Sequence, residues 1–339
     1  MLSLYWVFPY YESQYLEPVL LVFIGVIILG YMYSWTVQPR ARHLLISGVL
    51  WGAYALVRPN VLLFIPVFAG WIFWVARRHG QSPRACWTGW LALGLGLILT
   101  IAPTTWRNFR VSGEWVPIST NGGINLLIGN NELSQGIVQS EIPGLGFFGT
   151  CFDYPALVDA LSRETGTPLS HSQASRLFAR KAWDYIRTHP VQTLRRMARK
   201  TLLFWGPVEI GHNKEDAVER AHSRVLSRIP GNFSGMFTLF LLGSGWMVGR
   251  RFRTAPSPAE RPRLDLEWEL SVGLWLFIAV YFASHLPFFI AGRYRVPLLP
   301  FLMLFGALFL AQAWTWIRLK YGKALLASGI AATALFALV

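Results

Sequence analysis

Long apolar runs separated by short polar turns dominate the chain. A helix needs about 20 apolar residues to cross roughly 30 Å of hydrocarbon. Eight stretches approach this pattern: 15–33, 44–57, 61–75, 87–105, 233–248, 270–289, 296–317 and 324–339. A longer mixed segment, 106–232, separates the fourth run from the fifth. The pattern predicts an all-α polytopic membrane protein of about eight transmembrane helices with a mixed extracytoplasmic loop domain.

The order of the runs predicts three regions. Residues 1–105 form an N-terminal transmembrane region of four spans, residues 106–232 the loop domain, and residues 233–339 a C-terminal transmembrane region of four spans. The charged, Pro-rich stretch 250–268 is predicted to be a flexible loop, to which we assign no function.

The loop domain is predicted to begin with short strands or loops. Apolar residues alternate there, and Gly122-Gly123 is typical of a tight turn. Two helices are predicted next, over 154–164 and 173–188, with Ser170 and Ser172 as candidate caps of the second.

A third helix of the loop domain begins at Pro190 and has two contrasting faces. One face is apolar: Val191, Leu194, Ala198, Thr201, Leu202 and Trp205. The other is basic: Arg195, Arg196, Arg199 and Lys200. This pattern predicts a helix near 190–205 that lies in the membrane interface with its basic side towards anionic head groups. A plain anchor and a contact with a specific lipid phosphate both stay open.

The turn Val57-Arg58-Pro59-Asn60 separates the second and third runs. Pro59 is expected to end the first helix, and Asn60 can cap the next. Arg58 either extends its charge to the interface or faces a lipid phosphate.

Composition supports the membrane assignment, because 53% of the residues are hydrophobic and only 14% are charged. A net charge of +14 would suit a nucleic-acid partner, but its distribution argues against one. Thirteen basic residues fall in loops placed inside, and fifteen fall in the long loop domain. Only Arg58, Arg293 and Arg295 fall in short outer loops. This bias sets the orientation by the positive-inside rule, and no nucleic-acid partner is predicted.

The acidic residues point to the outer side. Only Glu260, Asp265, Glu267 and Glu269 of the 17 acids lie in predicted inner regions, so chemistry that needs carboxylates is expected outside. Cys86 and Cys151 are predicted on opposite sides of the membrane, so no disulfide is expected between them.

Glu17 lies where the first span begins, in YLEPVLL. As an acid at a helix N-terminus it can complement the helix dipole. Alternatively it acts as a base or a metal ligand, because an acid at the edge of an apolar span is costly unless it is used.

The stretch GRYRVPLLP holds two arginines beside an apolar run. Arg293 and Arg295 are two residues apart, and Pro297 prevents regular helix just after them, so they can point in nearby but different directions. They are either interfacial anchors or ligands of a phosphate, which guanidinium groups bind bidentately. Tyr294 is a packing residue or a ring beside a lipid head group.

Several familiar motifs are missing from the sequence. The histidines show no metal spacing, and GxxxxGK, GxGxxG at a strand-to-helix turn and GxSxG are absent. The chain instead resembles the GT-C membrane glycosyltransferases. The motifs that carry this resemblance are, in chain order, LEP, RPN, WRNF, STNGGINLLIGNN and GRYRVPLLP. The nearest resemblance is to bacterial members related to protein mannosyltransferases and to the aminoarabinose and galacturonic acid transferases of lipid A.

The resemblance implies transfer of a sugar from a polyprenyl-phosphate carrier to a lipid, glycan or protein acceptor, on the outer side of a bacterial plasma membrane. By position, Glu17 resembles an acidic site, and Arg293 and Arg295 resemble the side that binds phosphate. Residues Asn125, Asn130 and Asn131 resemble the family's polar loop over the pocket. No organic cofactor is implied, and a divalent metal stays open.

The chain departs from the family at its start. Family members carry an acidic motif in a first outer loop that supplies the base, and this chain begins after that point. We favour an N-terminally truncated chain over one in which another acid has taken over. The competing hypothesis is a lipid-carrier transporter or flippase, or a non-catalytic carrier-binding membrane protein, in which the arginines bind the carrier phosphate and no base is needed.

Overall fold

Each of the eight apolar runs forms a helix in the computed structural model, which describes residues 5–14, 16–139, 141–147, 153–211, 216–253 and 257–338. The first region contains five helices. They are α1 (Val7–Glu12), α2 (Glu17–Val37), α3 (Ala41–Val57), α4 (Phe64–Arg78) and α5 (Pro83–Ser112). A 3-10 turn, Pro59–Leu63, precedes α4. Helix α5 passes the predicted end at residue 105, accommodates Pro103 and ends at Gly113, whose φ of 70° suits glycine.

The loop domain is mainly helical. Its elements are α6 (Gly122–Gly129), the two-residue strands β1 (Glu141–Ile142) and β2 (Gly146–Phe147), α7 (Tyr154–Thr165), α8 (His171–Thr188), α9 (Pro190–Trp205) and α10 (Asp216–His222). The predicted helices near 154, 173 and 190 are confirmed. Ser170 caps α8 in a reciprocal capping box with Gln173, whereas Ser172 is inside the helix. Cys151 lies outside the described residues.

The predicted strands or loops around Gly122-Gly123 were wrong, because this stretch forms α6. Its apolar residues pack against α8, and a Cβ on Gly123 would lie 1.9 Å from the carbonyl oxygen of Ser175. Glycine is therefore needed for close approach of two helices and not for a turn.

The last region contains four helices, α11 (Phe233–Arg253), α12 (Arg261–His285), α13 (Leu299–Arg318) and α14 (Gly322–Leu338). The two 3-10 turns Gly292–Tyr294 and Val296–Leu298 join α12 to α13. Stretch 250–268, predicted to be a flexible loop, is largely helical. Three ion pairs tie its helices to each other and to α4: Arg250–Glu267 at 2.5 Å, Arg251–Asp265 at 2.9 Å and Arg78–Glu269 at 2.8 Å. We call this end of the bundle the charged end.

The fold is that of an all-α membrane protein, but the count of eight spans is not confirmed. Five helical segments of the described chain are long and apolar enough to cross a membrane: Glu17–Val37, Pro59–Arg78, Pro83–Ser112, Arg261–His285 and Gly292–Arg318. Two further apolar helices are shorter, Ala41–Val57 and Gly322–Ala337.

Close helix packing depends on glycine in this bundle. Helices α3 and α5 approach so closely that a Cβ on Gly48 would lie 2.2 Å from the carbonyl oxygen of Leu93. A Cβ on Gly96 would likewise lie 2.3 Å from the carbonyl oxygen of Leu45. Small residues are typical of helix contacts in membranes, where packing replaces the hydrophobic effect.

Candidate functional site

Glu17, Arg58, Arg293 and Tyr294 meet at one end of the bundle, and we call them the site cluster. Glu17 is the first residue of α2, and Arg58 follows the last residue of α3, where Pro59 interrupts the helix. The Arg58 guanidinium donates to Oε1 of Glu17, and Nε of Arg293 lies 3.5 Å from the same oxygen. Two cations from distant parts of the chain therefore share one carboxylate.

The ring of Tyr294 lies beside both cations. The guanidinium carbon of Arg58 is 4.4 Å from the ring centre, and that of Arg293 is 5.5 Å from it. Cations at such distances are attracted by the electron-rich face of an aromatic ring. Tyr294 is only 8% exposed, so both cations contact a buried ring.

The site cluster keeps some access to its surroundings. The exposed fractions of the side chains are 23% for Glu17, 11% for Arg58 and 14% for Arg293. Both ion pairs use Oε1 of Glu17, and within the described part of the chain Oε2 makes no recorded hydrogen bond. One carboxylate oxygen thus remains for an incoming group.

Asn60 lies in the turn that follows Arg58. It does not cap the next helix, so the prediction from the sequence was wrong. Its amide donates to the hydroxyl of Ser284 at 2.7 Å, and residue 60 itself is part of a 3-10 turn. The neighbouring His285 is buried, with Nδ1 2.7 Å from the carbonyl oxygen of Tyr281. The turn after α3 is therefore fixed to the end of α12.

Arg295 is separate from the site cluster. It is 2% exposed, and its Nη2 lies 2.8 Å from Oε2 of Glu209. Its remaining hydrogen bonds go to three backbone carbonyls, those of Phe204 at 3.2 Å, Gly206 at 2.7 Å and Val208 at 2.8 Å. The donors of Arg295 are thus engaged by the loop domain.

Glu209 joins three parts of the chain. It accepts a hydrogen bond from the hydroxyl of Tyr5, and burial together with this carboxylate raises the pKa of Tyr5. Gly292 fits beside it, since a Cβ there would lie 3.0 Å from Oε2 of Glu209. The backbone N–H of Gly292 also donates to the carbonyl of Ile210 at 2.8 Å. The segment that carries Arg293 is therefore also bound to the loop domain through Gly292.

Asn130 and Asn131 are buried; Asn130 holds the loop domain on the bundle, and Asn131 holds the loop domain together. The amide of Asn130 donates to the carbonyls of Leu126 at 2.8 Å and Pro287 at 2.5 Å. The amide of Asn131 donates to Leu127 at 2.8 Å, and its oxygen accepts from the backbone of Leu133 at 2.8 Å. Asn125 is half-buried within α6. The structure does not bring these three asparagines into the site cluster.

The position of Lys200 differs from the one predicted, which was on the basic face of α9. It is fully buried and its Nζ donates to the carbonyls of Gly129 and Leu286, each at 3.0 Å. Burial, with Arg196 nearby, lowers the pKa of Lys200 to about 8. Leu194 and Leu202 of the predicted apolar face are 67% and 74% exposed on the protein surface. Helical periodicity separated the apolar from the basic residues of α9. It could not show that the ends of α6 and α12 would bury Lys200.

An apolar groove runs along α2, the helix that begins with Glu17. It comprises two adjoining cavities of about 710 and 610 Å³ between α2 and α13. Both are lined by Val26, Leu29, Leu304 and Ala307. The groove extends from Glu12, near the start of α2, to Glu267 at the charged end.

Sequence reasoning missed Glu209 and the burial of Lys200. A lone acid in the apolar context WGPVEIG was the available signal for Glu209, since such an acid needs a buried cation. Among the described residues, no group of three His, Cys, Asp or Glu side chains could hold a metal ion.

Compared with known proteins, the chain matches no family model, no curated protein and no solved structure. Its function is therefore inferred from the residues and geometry of the site.

Proposed function

We propose that the chain is a GT-C-type membrane glycosyltransferase that moves a sugar from a polyprenyl-phosphate carrier to an acceptor. The observation that carries this proposal is the site cluster, in which Arg58 and Arg293 converge on Glu17 at the start of α2, a helix that also lines an apolar groove. Such a site offers cations for a phosphate, a carboxylate for a hydroxyl and a surface for a lipid tail.

Charge balance supports a phosphodiester as the ligand. Two guanidinium groups and one carboxylate leave the cluster with one net positive charge, and a sugar phosphodiester carries one negative charge. When the sugar departs, the lipid keeps a phosphate monoester of about −1.5 to −2 charges. Arg58 and Arg293 then face more negative charge than before, so their attraction stabilises the developing products more than the bound donor.

The transfer step follows from these positions. Glu17 takes the proton of the acceptor hydroxyl through Oε2, while the acceptor oxygen forms a bond to the anomeric carbon of the sugar. The bond from that carbon to the phosphate oxygen breaks, and its electron pair stays on the phosphate. Because the leaving group is already a stable anion, no general acid is required.

The groove between α2 and α13 supports a lipid-linked donor. Its lining is apolar, it opens near Glu12 and Phe8, and it follows the axis of the bundle. In this proposal the polyprenyl tail lies in the groove and its phosphate reaches the site cluster at the start of α2. We propose that the cluster lies on the outer side of a bacterial plasma membrane, as the charge bias of the loops suggests.

One observation favours the second candidate, a non-catalytic carrier-binding protein, transporter or flippase. The Arg58 guanidinium already donates to Glu17, and a carboxylate so engaged is also suited to holding two arginines ready for a phosphate. In that function Glu17 positions the cations and no proton is transferred.

A Glu17→Gln variant distinguishes the two functions. The protein in lipid nanodiscs is supplied with polyprenyl phosphate carrying one labelled hexose, and both binding and release of lipid phosphate are measured with a mixture of glycan and lipid acceptors. An enzyme releases lipid phosphate with the wild-type chain, and the variant binds donor but loses release. Binding without any release by the wild-type chain would favour the second candidate, and absence of binding would contradict both.

A further inference from the structure

A separate cavity lies between α11, α13 and α14 and reaches the charged end. Its volume is about 960 Å³. Its walls carry small side chains, with Gly245 and Gly249 on α11 facing Ala327 and Ala331 on α14. The site cluster contributes none of its residues to this cavity, so the proposal below does not depend on the proposed function.

The glycines of α11 serve two different purposes. A Cβ on Gly243 would lie 2.0 Å from the carbonyl oxygen of Phe305, so this glycine allows α11 and α13 to touch. A Cβ on Gly245 or Gly249 would meet no atom within 4 Å. These two glycines thus border open space instead of a helix contact.

The cavity has the size of a small-molecule site. Its volume of about 960 Å³ falls within the usual range of about 300–1,000 Å³ for such sites. Slender acyl chains fit such a space.

The chemistry of the cavity changes along its length. Its deep part is apolar, lined by Leu241, Leu242, Phe309 and Leu335. Towards the charged end it is lined by Trp246, Trp316 and Arg250, and the Arg250 guanidinium lies 5.4 Å from the ring of Trp246. Tryptophan is typical of the depth where lipid head groups begin. An apolar interior suits the acyl chains of a phospholipid, and an entrance with aromatic and cationic residues suits its head group.

The mouth also carries an excess of positive charge. Arg318 ends α13, Lys320 lies in the turn that follows and Lys323 is the second residue of α14; within the described part of the chain none of them makes an ion pair. Glu260 is the acid that lines the cavity. The N-terminus of α14 begins at Gly322, in the same turn, and its dipole favours a nearby anion.

We infer that this cavity is a binding site for an anionic glycerophospholipid, with acyl chains between α11 and α14 and the phosphate beside Lys323, next to the Arg250–Glu267 ion pair. A zwitterionic phospholipid fits the apolar part equally well but gains less from the cations. Each lysine near such a head group contributes roughly fivefold in affinity.

Native mass spectrometry of the full chain tests this site. The protein is incubated with phosphatidylglycerol or with phosphatidylcholine of the same chain lengths, and the retained lipid is counted. We expect wild type to retain phosphatidylglycerol preferentially. Gly245→Leu, which fills open space, should abolish that retention, whereas Gly94→Leu should leave it unchanged, because Gly94 of α5 also faces open space but lies outside the cavity.

A second variant keeps the test independent of packing. Lys320→Gln with Lys323→Gln should reduce the preference for phosphatidylglycerol by several-fold while leaving the melting temperature unchanged. Equal retention of both lipids by wild type, or full retention by Gly245→Leu, would overturn the proposal. The proposal would also be overturned if Gly245→Leu retained the lipid but no longer formed a dimer, because a second copy of the chain would then occupy this face.

Discussion

Arg293 and Arg295 are two residues apart, yet they bind different carboxylates. Nε of Arg293 lies 3.5 Å from Oε1 of Glu17, whereas Nη2 of Arg295 lies 2.8 Å from Oε2 of Glu209. The 3-10 turns Gly292–Tyr294 and Val296–Leu298 set the two side chains apart. One arginine therefore belongs to the site cluster, and the other secures the loop domain to the bundle. Their removal should have different consequences.

Arg293→Gln should weaken binding of polyprenyl phosphate without unfolding the chain. A charge-assisted hydrogen bond contributes about 1.5 to 3 kcal/mol, so the dissociation constant should rise by roughly tenfold or more. Binding to the protein in nanodiscs measures this change. Arg163→Gln, an exposed arginine of α7, is the matched control and should bind as wild type does. Unchanged affinity in Arg293→Gln would make Arg293 an interfacial anchor.

Arg295→Gln should destabilise the fold. It leaves the carboxylate of Glu209, whose side chain is 9% exposed, without its cation, and breaking a buried pair from one side costs about 3–5 kcal/mol. Thermal unfolding should occur at a clearly lower temperature. Adding Glu209→Gln should restore part of the loss, because the unpaired charge is then gone. A stable Arg295→Gln variant that loses carrier affinity would instead assign Arg295 to the ligand.

The helices of this chain were predictable because their signals are local. Apolar runs gave the positions of the helices, and Ser170 with Gln173 marked the start of α8. The number of spans was not predictable in the same way, because several of those helices are short or carry charges at their ends.

Close approach of distant segments was not predictable. Gly122-Gly123 has the composition of a turn, and only the close approach of the Ser175 backbone, 52 residues further along the chain, explains why position 123 needs glycine. Arg58 and Arg293 were suggested as site residues by their isolation among apolar runs. Glu209 showed only as a lone acid in an apolar context, and its partner Arg295, 86 residues further along the chain, could not be assigned from the sequence.

The neighbouring glycines of α6 provide an internal comparison. Gly123→Ala should destabilise the docking of α6 on α8 by about 1–3 kcal/mol, because its Cβ would overlap the Ser175 backbone. Gly122→Ala should be neutral or slightly stabilising, since its Cβ meets nothing within 4 Å and alanine favours helix. Limited proteolysis of the loop domain measures both. Equal protection of the two variants would show that α6 and α8 do not pack this closely.

Lys200 should make stability depend on alkaline pH. Burial lowers its pKa in the folded chain to about 8, below the ordinary value of 10.5. Between these two values the unfolded chain holds the proton and the folded chain does not, so unfolding takes up a proton. The free energy of unfolding must then rise with pH across this window, by up to about 3 kcal/mol from this group.

A Lys200→Met variant isolates that contribution. It removes the titrating amine and leaves the carbonyls of Gly129 and Leu286 without their shared donor, so it should be less stable than wild type. The difference in melting temperature between the two proteins should widen as the pH is raised from about 7.5 to 9.5, because only wild type gains from deprotonation of the buried amine. Other groups that titrate in this range are common to both proteins and cancel in the comparison. Parallel pH profiles would show that Lys200 stays charged in its buried position, held so by its two carbonyl acceptors.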